Sequence, residues 1–200
     1  YLVAWTGPGG YTAGNQDISN LIAGDYTISV TDANLCSTDV LFTVDEATEV
    51  IVDSNVTQIS CNGANDGEIE LIVSGGTGPY TAGWTGPNGY IATGLSHNTL
   101  APGDYTITVS DALNCQTIVE ITIDEPTELV LQTATTPISC NGASDAAIDL
   151  TISGGGTTYN VTWTGPSVVD PTLEDQSNLA AVAYSVEVLD DLGCVETANV

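Results

Sequence analysis

Five cysteines carry the chemistry most easily read from this chain: Cys36, Cys61, Cys115, Cys140 and Cys194. Successive intervals alternate between 25 and 54 residues. Evenly placed thiols of this kind point to disulfides, and disulfides point to an oxidising compartment. Two pairings fit the spacing. The short one joins Cys36 to Cys61 and Cys115 to Cys140. Each of those segments reads as strand, short linker and strand running onward. At about 3.3 Å per strand residue their ends stand tens of ångströms apart, whereas a disulfide needs Cα atoms within about 7 Å. The long one joins Cys61 to Cys115 and Cys140 to Cys194, and leaves Cys36 for a partner 54 residues upstream, outside this sequence. It requires that the cysteine closing a first strand and the cysteine opening a last strand lie at one pole of a sandwich. That scheme is the expectation. A loop of this length closed covalently stabilises by about 4 kcal/mol in the chain-entropy picture.

The remaining reactive groups are sparse. No catalytic residue is assigned and no enzyme is expected. His97 is the single histidine and aligns with Ile18 and Gln176 in the repeat described below, so it reads as a solvent-facing loop residue. No Ser-His-Asp or Cys-His pair recurs. No cofactor or metal is assigned either, and calcium is the one candidate carried, because hard oxygen ligands are plentiful. Asn62, Asp66 and Asp111 are expected to gather at one pole, and the acids Asp124, Glu125 and Glu128 to stand where two modules meet. The competing reading gives Asp66 and Asp111 to side-chain-capped turns and leaves the junction acids solvated. Trp84 and Tyr90 flank a Gly-Pro turn and have the chemistry of a glycan-stacking platform, but strand alternation turns Trp84 inward, toward a core.

Composition narrows the field further. The chain has no Lys or Arg against 26 Asp plus Glu, a formal net charge of −26. Phosphate backbones and anionic lipids are bound through cationic side chains, so nucleic acid and lipid surfaces are excluded as partners. Arginine clamps, lysine nucleophiles and Lys–Asn isopeptide cross-links are impossible, and trypsin-like proteases have no cleavage site. Hydrophobic residues make up 42% of the sequence, which supports packed cores rather than disorder. No apolar run is long enough to span a bilayer, so no direct membrane insertion is expected in this segment.

These residues are positioned by a repeat of 79. Trp5, Trp84 and Trp163 are 79 apart, as are Tyr26, Tyr105 and Tyr184, Asp32, Asp111 and Asp190, and Cys36, Cys115 and Cys194. Residues 1–46 match residues 80–125 at 23 positions. The organisation read from this is the C-terminal part of a first repeat over 1–46, a complete second repeat over 47–125, and a third over 126–200 that stops short of finishing its last strand. Modules repeated in tandem build length or multivalency more readily than a single active site.

Within the complete copy, short alternating runs are separated by turn residues. Val50–Val52 and Val56–Ser60 read as a broken first strand, then Glu68–Ser74, Tyr80–Thr85, Tyr90–Thr93, a piece near Leu100, Tyr105–Val109 and Cys115–Ile123. Cys61–Gly67, Gly75–Pro79, Gly86–Gly89 and Asp111–Asn114 supply the turns. About seven short strands without a helix predict an all-β fold of tandem immunoglobulin-like antiparallel β-sandwiches laid end to end as a rod. The linkers Asp45–Glu49 and Asp124–Glu128 are too short for independent motion. Like charges spaced more closely than a Debye length of about 8 Å repel one another and favour an extended array.

The motifs Cys-Asn-Gly-Ala-Asn-Asp-Gly (61–67), Trp-Thr-Gly-Pro-Asn-Gly-Tyr (84–90) and Gly-Asp-Tyr-Thr-Ile-Thr-Val-Ser-Asp-Ala (103–112), with Cys115, resemble the SprB repeat of giant cell-surface gliding adhesins of Bacteroidota. The resemblance extends over essentially the whole chain. Copy three departs from it: Ser144 replaces Asn65, Ala146 replaces Gly67, and Val182-Ala183 replaces the Gly-Asp before the tyrosine. The resemblance implies secretion through the type IX system, display on the outer membrane as long filaments, and roles in adhesion and gliding motility. The function expected is a structural and adhesive segment of an extracellular filament, a disulfide-stapled acidic stalk. The alternatives are a passive spacer array holding a surface-anchored or secreted enzyme, or a module that binds glycan directly. Surface glycans and other cell-surface or filament proteins are the partners this implies.

Overall fold

The structure is a computed structural model of the 200-residue chain and describes residues 1–168 and 170–200. It is all-β. Four strands lie in the first stretch: β1 (Leu2–Gly7), β2 (Tyr11–Ala13), β3 (Gly24–Thr31) and β4 (Ser37–Val44), paired as one antiparallel sheet in the order β2-β1-β3-β4. Seven follow: β5 (Ile51–Thr57), β6 (Gly67–Ser74), β7 (Thr81–Thr85), β8 (Ile91–Thr93), β9 (Ser96–Leu100), β10 (Gly103–Ser110) and β11 (Gln116–Ile123). They form two sheets, β5-β6-β9 and β11-β10-β7-β8. The last six are β12 (Val130–Thr136), β13 (Ala146–Ser153), β14 (Tyr159–Thr164), β15 (Gln176–Leu179), β16 (Ser185–Asp190) and β17 (Val195–Asn199), again in two sheets, β12-β13-β15 and β14-β16-β17. Two facing sheets, three strands plus four in copy two and three plus three in copy three, with the chain crossing between them, make an immunoglobulin-like sandwich.

Alternation fills each sandwich. In β6, Ile69 and Leu71 face inward, and in β10 Tyr105, Ile107 and Val109 do the same; all five are buried. They close on Trp84, Leu100 and Ile123 to form one core. A second core gathers Leu129, Ile148, Leu150, Trp163, Val186 and Val188. The first strand is unbroken, contrary to the sequence reading. Asp53, Ser54 and Asn55 stay in register with Ile72, Leu71 and Glu70. β5 sits at a sheet edge, so polar side chains there reach solvent without interrupting the ladder, and the Asn55 amide reaches the Glu70 carboxylate at 3.2 Å.

Two side-chain ties recur with the repeat. The indole N–H of Trp5, Trp84 and Trp163 donates to the carbonyls of Asn15, Gly94 and Glu174 at 3.1, 2.7 and 3.1 Å. The phenol O–H of Tyr26, Tyr105 and Tyr184 donates to the carbonyl four residues earlier, on Ile22, Ala101 and Ala180. The second is the tyrosine corner of immunoglobulin-like sandwiches. It lets a large aromatic ring enter the core while its hydroxyl pins the preceding connection.

Candidate functional site

Each sandwich has two poles, and the chain enters at one and leaves at the other. β5 and β11 run side by side in the same sense. Their starts are tied where Thr117 Oγ1 donates to the Val50 carbonyl at 2.6 Å. Their ends are tied where Ile59 N donates to the Asp124 carbonyl at 3.1 Å and Asp124 N to Gln58 Oε1 at 2.6 Å. The first strand therefore ends beside the end of the last strand, not beside its beginning.

This direction overturns the within-module disulfides. Cys61 follows β5 at the exit pole. Cys115 precedes β11 at the entry pole, and the eight residues of β11 hold the two about 26 Å apart. Cys61–Cys115 is not formed, and Cys140–Cys194 fails for the same reason. The 25-residue scheme is not formed either. The structure instead bonds Cys61 to Cys194, with Cα atoms 5.6 Å apart and a sequence separation of 133. That separation is one 54-residue interval plus one 79-residue repeat. The exit pole of copy two is thus covalently joined to the entry pole of copy three. Cys36, Cys115 and Cys140 are exposed free thiols. The spacing alone did hold a clue: in an array where poles meet end to end, the exit-pole cysteine of one copy faces the entry-pole cysteine of the next.

An aspartate orients each end of the bridge. On the Cys61 side, Asp66 accepts from Ser60 N at 2.9 Å and from Ser60 Oγ at 2.5 Å, fixing the residue just before the cysteine. The Ser60 hydroxyl, and then its amide, hold the Asp66 carboxyl below the ordinary aspartate range. On the Cys194 side, Asp190 is buried; its Oδ1 accepts from Leu192 N and Cys194 N at 3.0 and 2.8 Å, and its Oδ2 from Gly156 N at 2.8 Å. Asp111 builds the same turn around Cys115, accepting from Leu113 N, Cys115 N and Thr77 N. Those amides, Thr77 first, hold the Asp111 carboxyl below its ordinary value. Gly76 allows this approach: its φ is +56°, and a Cβ there would stand 2.9 Å from Asp111 Oδ2.

The junction has its own hydrogen bonds. Gly63 N donates to Glu125 Oε1 at 2.5 Å, and Asn62 Nδ2 donates to the Pro126 carbonyl at 3.1 Å. With Thr127, Glu128, Leu129 and Glu196, the bridged cysteines line a shallow open groove. The calcium candidates divide. Asn62, Asp66, Asp124, Glu125 and Glu128 belong to the exit pole and linker, while Asp111 lies at the opposite pole, so the expected convergence of Asn62, Asp66 and Asp111 does not occur. Among the described residues, no three His, Cys, Asp or Glu side chains come together in a group able to hold a metal ion.

Two matches to the SprB repeat family model fall on residues 54–89 and 132–168. These segments are SprB repeats. Each match contains the exit-pole cysteine, Cys61 or Cys140, and the core tryptophan, Trp84 or Trp163. The entry-pole cysteines Cys115 and Cys194 lie beyond the matched spans. No curated protein matches the chain. Among solved structures, the chain is similar to the N-terminal eight Ig domains of Down Syndrome Cell Adhesion Molecule isoform 1.30.30, at 14% identity and a TM-score of 0.45, over 100% of this chain and 32% of that one. It is also similar to a chain of the complex of Dpr2 Ig1-Ig2 with DIP-Theta Ig1-Ig3, at 10% identity and a TM-score of 0.36, over 100% and 88%.

The SprB repeats use their aromatic residues internally. Trp84 is 1% exposed, so it offers no stacking platform, and Tyr90 packs edge-on to Tyr105 with ring centroids 5.5 Å apart. His97 is not a loop residue on the surface. It lies in β9 opposite Ile69, edge-on to Trp84 at 4.9 Å, with Nε2 enclosed and unpartnered among the described residues. In copy three, Gln176 takes that position and its Nε2 donates to the carbonyls of Asp170 and Leu173. No helix among the described residues is long and apolar enough to cross a membrane.

Proposed function

We propose that the chain is a structural and adhesive segment of a long extracellular filament displayed at the cell surface. The observation that carries this reading is the disulfide from the exit pole of one SprB repeat to the entry pole of the next. A covalent tie placed there fixes the succession of modules, so its product is reach. SprB repeats occur in cell-surface proteins, and tandem immunoglobulin-like modules are typically structural or adhesive rather than catalytic. The net charge of −26 keeps neighbouring filaments apart and favours extension. Gliding motility, export by the type IX route and outer-membrane anchoring belong to this same reading, with surface glycans or other filament proteins as the contacts presented.

The test is an antiserum raised against residues 47–200 and applied to intact cells. Labelling of extended surface structures without permeabilisation is expected. Labelling that appears only after permeabilisation overturns the reading.

A further inference from the structure

The bridge opens a second covalent route between two SprB repeats. Along the backbone, the way from copy two to copy three passes through residues 62–193. Across the bridge it passes from Cys61 to Cys194 in one step, over 5.6 Å between Cα atoms. The strands on this short route are β5, which runs toward Cys61, and β17, which runs away from Cys194. Both span their sandwich from entry pole to exit pole.

We propose that the Cys61–Cys194 bridge is a tension bypass: pull along the chain travels through β5, the disulfide and β17, and leaves residues 62–193 outside the load path. The reason is geometric. A strand drawn from both ends is held taut in line and is not peeled from its neighbour, so the β5–β6 ladder from Ile51–Ser74 to Thr57–Glu68 stays intact. The same holds for β17 against β16, from Ser185–Asn199 to Leu189–Val195. Without the bridge, force on the end of β5 enters the turn Cys61–Gly67, draws on β6, and then must be resisted by the core around Trp84. The hydrogen bonds from Gly63 to Glu125 and from Asn62 to Pro126 keep the two poles seated and hold the bridge in place. Each bypass ties one strand of one copy to one strand of the next, so the aromatic cores carry stability while the strands and sulfurs carry load. The biological use of the bypass rests on the filament reading above; its mechanical existence does not.

The test is single-molecule stretching of the whole chain, held by cysteine-free tags at its two ends. In the oxidised chain only residues 1–60 and 195–200 lie in the loaded path, whose full contour of roughly 220 Å at about 3.4 Å per residue is the upper limit that serves as an internal control. Adding a phosphine reductant, which converts the disulfide to two thiols, is expected to release about 450 Å more, in steps belonging to the two sandwiches. Cys61→Ser is expected to release that length without reductant, and Cys115→Ser to leave the oxidised trace unchanged. An oxidised chain that already yields the extra length overturns the proposal, as does a reduced chain that yields none. The reductant arm uses the natural sequence, so it decides the matter even if Cys61→Ser folds poorly. Surface labelling of cells is read independently, so failure of the bypass and failure of the filament reading are separate results.

Discussion

The entry poles of copies two and three are built alike and end differently. Cys115 N donates to Asp111 Oδ1 at 2.8 Å, and Cys194 N donates to Asp190 Oδ1 at 2.8 Å. The linkers before them differ only by Ala47 against Pro126. Yet Cys194 is buried in a disulfide and Cys115 is an exposed thiol. What differs lies across the junction. Cys194 faces Cys61, 133 residues earlier at the exit pole of the preceding copy, whereas among the described residues no cysteine faces Cys115. The staple is therefore a property of two adjoining copies, not of one. A single copy holds itself together by apolar packing and hydrogen bonds, and covalent reinforcement joins the poles of copies two and three.

The largest effect should come from breaking that asymmetry. A closed loop of sequence separation 133 restricts the unfolded chain by about 5 kcal/mol in the loop-entropy picture. Cys61→Ser or Cys194→Ser is expected to lower the denaturation midpoint of copies two and three by a matching amount in chemical unfolding. Cys115→Ser, with its side chain exposed and unbonded, should shift it by no more than about 0.5 kcal/mol. Equal losses at all three positions would make the bridge an ornament of the fold.

The first stretch offers a second contrast. β1–β4 form one sheet, and among the described residues no second sheet covers its apolar face. Val40 and Phe42 are 45% and 50% exposed there, whereas Ile123 in the two-sheet copy is 1% exposed. Trp84→Ala should cost about 3–5 kcal/mol, the usual range for emptying a packed aromatic site. Trp5→Ala, on the uncovered sheet, should cost about 1–2 kcal/mol, since part of its surface is already in water. Trp5 keeps its hydrogen bond to Asn15 and its contact with Phe42 at 5.8 Å, so its fluorescence should be quenched by iodide far more readily than that of Trp84. Equal quenching would show that the face is covered in solution.

Much of this was legible in the sequence because repetition does the work of comparison. Three copies of Trp, Tyr, Asp and Cys at one interval fixed the module, and period-two runs such as Tyr105, Ile107 and Val109 fixed which side faces the core. The tyrosine corner was visible as a recurring Tyr, but its bond to the carbonyl four residues earlier depends on backbone curvature, which no residue pattern encodes. The disulfide was misread for a related reason. Spacing gives distance along the chain, whereas pairing needs the direction in which the first and last strands run. His97 was misread because one copy with a residue different from its counterparts carries no periodic signal, and only packing against Trp84 shows that it is enclosed.

Acid should test the aspartate turns. The folded Asp111 carboxyl titrates below its ordinary range because Thr77, Cys115 and Leu113 amides bond to the charged form. Its contribution is therefore fully present above the ordinary aspartate pKa and is lost as pH falls from there through the lowered folded value. Asp66 and Asp145, held by the hydroxyls and amides of Ser60 and Ser139, titrate in the same sense. In Asp111→Asn, Oδ1 still accepts from Leu113 and Cys115, but an amide NH2 replaces the oxygen facing Thr77 N. The variant should melt lower at pH 7, and the gap to the natural chain should close below about pH 4. Because repulsion among the other acids is common to both proteins, it cancels in the difference. A gap that stays constant with pH would mean that the lost bond to Thr77, and not charge, set the cost.

The smallest expected effect belongs to calcium, and the two poles of one copy explain why. Asp111 spends both carboxylate oxygens on three backbone amides at the entry pole. Asp66 spends both of its oxygens on Ser60 at the exit pole. Glu125 accepts from Gly63 N across the linker. A calcium ion asks for six to eight oxygens at about 2.3–2.6 Å around one centre, and these carboxylates neither share a centre nor stand free of donors. Placing the ion would require breaking amide hydrogen bonds that already satisfy the turns. Melting of the oxidised chain should therefore agree within about 1 °C with 2 mM calcium or with excess EDTA, since a shift of that size corresponds to well under 1 kcal/mol in a domain of this size. A rise of several degrees with calcium, lost in Glu125→Gln but kept in Asp111→Asn, would relocate binding to the linker and would make each junction a second, non-covalent staple beside the disulfide.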